Sequence, residues 1–155
     1  MINSVIKDSE IDIRAQEKRL YDEYKKKLLE LRKVQKEKEA VGQVFTKGLL
    51  PLYVLFLLSL GETNGNDISH KIGERTNGLW VPSTGGIYPL LKRLEKEKLV
   101  VGEWSSAKKA QKIYKITEVG SRQLENKKYL LQDKIEEALE VFKIIYSDLY
   151  INNIL

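Results

Sequence analysis

The chain has 155 residues, enough for one ordinary domain with appended helices, and is 42% hydrophobic and 32% charged, as folded soluble proteins are. Lys and Arg number 27 against 22 Asp and Glu; the resulting charge of +5 favours polyanionic partners without naming one. Cysteine is absent, and His70 is the single histidine. Disulfides, thiolate catalysis, zinc fingers and iron–sulfur clusters are thereby excluded, and a histidine metal site or a Ser–His–Asp triad is poorly provided for. The expectation is a cytoplasmic protein that is not an enzyme and needs no cofactor or metal.

The opening residues Met1 to Arg14 carry Lys7, Asp8, Glu10 and Asp12 where a signal peptide needs apolar side chains. From about Ile11 to Ala40 the chain has no Gly or Pro and is dense in good helix formers. Leu20, Tyr21, Tyr24, Leu28 and Leu31 fall at three-and-four spacing on one face of the helix this predicts. Ser9 followed by Asp12 reads as a capping box, which starts that helix there. At 1.5 Å per residue its length is on the order of 45 Å. Between Arg14 and Lys38 ten basic residues face five acidic ones, a surplus of five that equals the whole chain's.

The longest apolar run, Leu49–Leu60, is too short for the roughly 20 residues of a bilayer helix and predicts a buried core helix ended by Gly61. Asn64-Gly65 reads as a turn. Asp67–Thr76 reads as a short helix with Ile68 and Ile72 inside and His70 on its exposed side, stopped at Asn77-Gly78. Ser83 or Thr84 then caps a third helix through about Lys98, with Ile87, Leu90, Leu91 and Leu94 at helical spacing. Pro89 is tolerable only in a first turn, so this helix is expected to begin late or to bend there. The period then changes to two in Leu99–Trp104 and Lys112–Thr117, which predicts a hairpin with the polar, basic tip Ser105–Gln111.

From Thr117-Glu118 onward no breaker follows Gly120. Leu124, Leu131, Ile135, Ala138, Phe142, Ile145 and Leu149 follow a heptad, a coiled-coil-like seam that self-association would bury. Glu136, Glu137 and Glu140 are expected on its solvent face. The fold class is therefore mostly α with a small β-hairpin wing, in the order of a winged helix-turn-helix. It divides into a long basic amphipathic helix (1–45), the winged helix-turn-helix domain (46–120) and a C-terminal dimerisation helix (121–155).

The middle part resembles the PadR family of bacterial and archaeal transcriptional regulators. The resemblance lies in Trp80, Pro82-Ser83, Gly85, Ile87-Tyr88-Pro89 and Leu91-Lys92-Arg93-Leu94-Glu95. It continues with Leu99, Val100, Trp104, Tyr114, Ile116-Thr117 and Gly120. It implies a homodimer binding double-stranded operator DNA, usually repressing a nearby gene, with small-molecule effectors acting on some members. The chain departs from the family at Asn64-Gly65-Asn66, at Gly86, and in carrying Lys108, Lys109 and Lys112 on the wing.

On that reading Ser83, Thr84, Gly85, Tyr88 and Lys92 meet the major groove. Lys108, Lys109 and Lys112, on or beside the hairpin tip, meet phosphates. Trp80 is assigned to packing beneath the recognition helix and Trp104 to its strand. Tyr24, Leu28 and Leu31, with Tyr21, are expected to pack on the partner's C-terminal helix, whose dimer seam is Leu131, Ile135, Ala138, Phe142, Ile145 and Leu149. Two alternatives stand beside this: a plasmid- or phage-encoded protein of partition or replication control, and a winged-helix protein-interaction module that does not bind DNA.

Overall fold

A computed structural model describes the backbone of residues 2–106 and 108–152, and the side chains of 12–40, 47–106 and 108–152. The chain divides into two compact units, Met1–Phe45 and Thr46–Leu155.

The first unit is one helix, α1 (Ile2–Val44), of 43 residues. It is longer than the sequence pattern predicts: Ser9 lies inside it instead of capping it, and no Gly or Pro interrupts the chain back to Ile2. Local pairs support its surface. Gln35 donates to Glu39 at 3.0 Å, and the Lys25 ammonium sits 4.5 Å from the centre of the Tyr21 ring. Leu20, Tyr21, Tyr24 and Leu31 are exposed and Leu28 is half-buried.

A π-helical turn, Phe45–Leu49, follows α1, and the first α-helix of the second unit is α2 (Leu50–Leu60), with Pro51 in its first turn, where no amide donor is needed. Apolar all round, α2 lies in the middle of the core. Leu50, Val54, Leu55, Leu57 and Leu58 are buried, and Tyr53 and Phe56 are packed against them. Its end at Gly61 is extended backbone that any residue adopts.

α3 (Gly65–Arg75) starts two residues before the predicted Asp67. Asn64 is its N-cap, not half of a free turn: the side-chain oxygen accepts from the Asp67 amide at 2.9 Å. Thr63 Oγ1 donates to Asp67 at 2.6 Å, and Lys71 pairs with the same carboxylate at 2.8 Å. Asn77 and Gly78, at φ 53° and 76°, turn the chain out of the helix. Thr76 then holds the loop by accepting from the Trp80 amide at 3.0 Å.

α4 (Thr84–Lys96) buries Ile87, Leu90, Leu91 and Leu94. It begins at Thr84 with Pro89 inside it, so the expected late start does not occur. The missing Pro89 amide would have met the carbonyl of Gly85, four residues back, at the exposed end of the helix; no buried acceptor is orphaned.

β1 (Val100–Trp104) and β2 (Lys112–Ile116) pair antiparallel, Val100 opposite Ile116 and Trp104 opposite Lys112. Thr63 adds a bridge on the other side of β2, exchanging both backbone hydrogen bonds with Tyr114 at 3.1 and 2.8 Å. α5 (Glu118–Tyr146) follows, and a π-helical turn, Ser147–Ile151, continues it. Thr117 caps α5 by accepting from the Gly120 amide at 3.0 Å, while its hydroxyl lies 2.8 Å from the Lys98 carbonyl, to which it donates. Leu124 completes the core. Among the described residues no helix is long and apolar enough to cross a membrane.

Two outcomes follow for stability. A Cβ on Gly120 would collide with the carbonyl oxygen of Leu99, which is backbone and cannot swing away. Gly120→Ala is therefore expected to lower unfolding free energy by about 2–3 kcal/mol in urea titration. The Lys71 ammonium, then the Thr63 hydroxyl, hold the Asp67 carboxyl below its ordinary pKa. That stabilisation is complete above the unfolded value, near pH 4, and is lost as pH falls through the lower folded value. Asp67→Asn should be less stable than the parent at neutral pH, and the gap should narrow in unfolding titrations run toward about pH 3.

Candidate nucleic-acid interface

Burial of one stripe of α4 fixes what the other side presents. Thr84, Tyr88, Lys92 and Lys96 recur every four residues on the exposed side. Ser83 precedes them as N-cap with an extended backbone and an exposed side chain that makes no capping hydrogen bond. A Cβ on Gly85 or Gly86 would meet only the Ser83 hydroxyl, at 3.7 Å. Packing within the chain does not demand glycine at either position, and the leading end of α4 is open to close approach from outside.

Tyr88 is both packed and presented. Its ring lies against α3, where a Cβ on Gly65 would stand 2.8 Å from Cε1, yet the residue stays 40% exposed. Gly65 thus serves as the seat of the Tyr88 ring, a role that its sequence neighbours do not reveal.

The hairpin stands beside α4. Lys108 and Lys109 are exposed on the tip. Lys112, beside the tip, opens β2 opposite Trp104, with its ammonium 2.9 Å from the Glu95 carboxylate of α4. Gly102 makes room for it, since a Cβ there would stand 2.5 Å from the Lys112 Cε. The Tyr114 ring lies beneath it, 5.6 Å from ammonium to centroid. The Glu95 hydrogen bond raises the Lys112 pKa above the ordinary lysine value, and burial raises that of Tyr114. Lys112 therefore ties the hairpin to α4, and its charge is already answered within the chain. Local sequence carries no sign of this pair, whose members are 17 residues apart.

A second tie joins the hairpin to α3: the Asn64 amide donates to Gln111 at 3.0 Å. Between α4 and the hairpin lies an open cleft of about 630 Å³, lined by Tyr88, Lys92, Glu95, Lys96, Trp104, Lys112 and Tyr114. Trp104 is 70% exposed, so it is on the strand as expected but outside the core. Trp80 is half-buried, and its ring contact is with Tyr53 of α2, at 5.9 Å between centroids. His70 is exposed and pairs with Glu74 at 3.1 Å. Glu136, Glu137 and Glu140 are exposed on α5.

Of the seam expected on α5, Leu131 and Ile135 are half-buried, whereas Ala138, Phe142, Ile145 and Leu149 are exposed. Leu139, Val141, Ile144 and Tyr146 are exposed beside them, so the distal half of α5 shows apolar side chains on more than the heptad face. Among the described residues no cluster of three His, Cys, Asp or Glu side chains could hold a metal ion.

Comparison with known proteins agrees with this geometry. Residues 54–126 match the Transcriptional regulator PadR-like family. A PadR-like transcriptional regulator from Bacillus cereus is 31% identical with a TM-score of 0.53, the match covering 63% of this chain and 95% of that one. A transcriptional regulator from Clostridium thermocellum is 26% identical with a TM-score of 0.52, over 69% and 98% of the two chains. A PadR family transcriptional regulator from Eggerthella lenta is likewise 26% identical with a TM-score of 0.52, over 68% and 90%. No curated protein matches the chain by sequence. With a fold, a family match and a set of relatives that agree, the chain belongs to the PadR-like family and is a DNA-binding transcriptional regulator.

Proposed function

We propose that the chain acts as a homodimer on a pseudo-palindromic operator and represses transcription there. The observation that carries this is the outward stripe of α4, in which two hydroxyls (Thr84 and Tyr88) lead two lysines (Lys92 and Lys96) along a helix whose glycine-bearing start is open. An α-helix fits the roughly 12 Å major groove, and hydroxyl and ammonium groups match base edges and phosphates there. Ser83, Thr84, Gly85, Tyr88 and Lys92 are the groove-facing set, and Lys108 and Lys109 are backbone contacts of the wing. The exposed apolar half of α5, through Phe142, Ile145 and Leu149, suits burial against a second copy. A twofold pair places two recognition helices in grooves about 34 Å apart.

Selection from a random duplex pool followed by footprinting tests this reading. The expected product is a single inverted repeat. Tyr88→Ala should weaken it selectively, and Lys109→Ala should weaken all duplexes alike. A normal footprint from Tyr88→Ala would remove α4 from the reading role.

The Glu95–Lys112 pair supplies a second outcome. While Lys112 is answered by Glu95, it releases no phosphate counterion. Lys112→Met should therefore leave the salt dependence of binding unchanged. Glu95→Gln frees the ammonium and should steepen the slope by roughly 0.9. Equal slopes for Glu95→Gln and the parent would show that the pair is not the constraint described.

A further inference from the structure

Trp104 has no role in the account so far, and its position is unusual for a tryptophan. Alternation along β1 sets Val100, Gly102 and Trp104 on one face. Val100 is 2% exposed, whereas Trp104 is 70% exposed. The apolar face of the hairpin thus runs out beyond the cover that α4 provides, and it ends in an indole beside open space.

That space is the cleft between α4 and the hairpin. Its floor is aromatic, from Tyr88 and Tyr114. Lys92 and Lys96 stand on its α4 side, and among the described residues neither is ion-paired. Its one carboxylate, Glu95, is held by Lys112 at 2.9 Å, so the cleft does not present an unanswered negative charge to an anion. A flat apolar wall facing a pair of free cations is complementary to a nucleic-acid strand, in which an apolar sugar face alternates with phosphate.

We propose that Trp104 is a DNA-contact residue, with the cleft taking one sugar–phosphate stretch of the duplex, deoxyribose against the indole and phosphates against Lys92 and Lys96. This rests on the reading of α4 as the recognition helix and adds a contact of another kind. The indole contributes affinity that is independent of sequence and of salt, because it displaces no counterion.

The test uses the full chain with Trp80→Phe, which leaves Trp104 as the single tryptophan. A labelled mixed-sequence duplex in dilute buffer reports binding by anisotropy, and acrylamide quenching reports access to the indole. The expected result is an indole open to acrylamide in the free protein and shielded several-fold when the duplex binds. In the otherwise unaltered chain, Trp104→Ala should lower affinity about tenfold for every duplex with no change in salt slope, on the scale of taking part of an exposed aromatic ring out of water. Trp104→Phe should recover most of that loss. Binding that leaves Trp104 as quenchable as before would overturn the proposal, as would an indole already shielded in the free chain. If the duplex produces no anisotropy change at all, the DNA reading of α4 is what fails.

Discussion

Ile87, Leu91 and Leu94 are at most 2% exposed along one side of α4, and this burial decides the helix's rotation about its own axis. Each such side chain contributes on the order of 2 kcal/mol by leaving water. A rotation by one residue, about 100°, would expose that stripe and drive Tyr88 or Lys92 toward the core. The outward order of Thr84, Tyr88, Lys92 and Lys96 is thus a consequence of the inward order of the leucines and isoleucine. The face proposed to read DNA is set by residues on the opposite side of the helix.

The hairpin's placement depends on the same helix by a different route. Two polar ties hold it, Lys112 to Glu95 on α4 and Gln111 to Asn64 at the head of α3. Between them, Thr63 extends the sheet by one bridge to Tyr114, whose ring is buried in the core. The wing is consequently joined to both helices of the helix-turn-helix. A change in the angle between α3 and α4 would require at least one of these contacts to break, which couples the hairpin to α4.

Periodicity made much of this legible. The spacing of Ile87, Leu90, Leu91 and Leu94 revealed the inner face of α4, and the change to alternation after Leu99 revealed the hairpin within a residue at each end. The start of the last part at Thr117-Glu118 coincides with the head of α5, where the Thr117 hydroxyl caps the helix by accepting from the Gly120 amide. What failed was local chemistry with two solutions. Asn64 suits a turn as well as a cap, and only the position of Asp67 and Thr63 in space selects the cap. Ser9 and Asp12 have the composition of a helix start, but nothing around them ends a helix. Contacts distant in sequence left no trace: Lys112 looked like a free phosphate-binding cation until Glu95 was placed against it, and Gly65 looked like turn chemistry until Tyr88 was placed upon it.

Charge shows the same difference between composition and placement. The surplus between Arg14 and Lys38 matches the chain's total, but Asp8, Glu10, Asp12 and Glu39 flank it. Residues 1–45 as a whole carry eleven Lys and Arg against nine Asp and Glu, whereas residues 46–120 carry eleven against seven. Within this second segment Lys71, Arg93 and Lys112 are paired with Asp67, Glu97 and Glu95. Lys92 and Lys96 on α4 and Lys108 and Lys109 on the tip are exposed and have no ion-pair partner among the described residues. A modest net charge therefore coexists with a local group of four unanswered lysines, because the acidic side chains pair with Lys71, Arg93 and Lys112 and not with these. On the proposed reading, a polyanion meets Lys92 and Lys96 with their charges unanswered, and the buried stripe of α4 is what turns both of them outward.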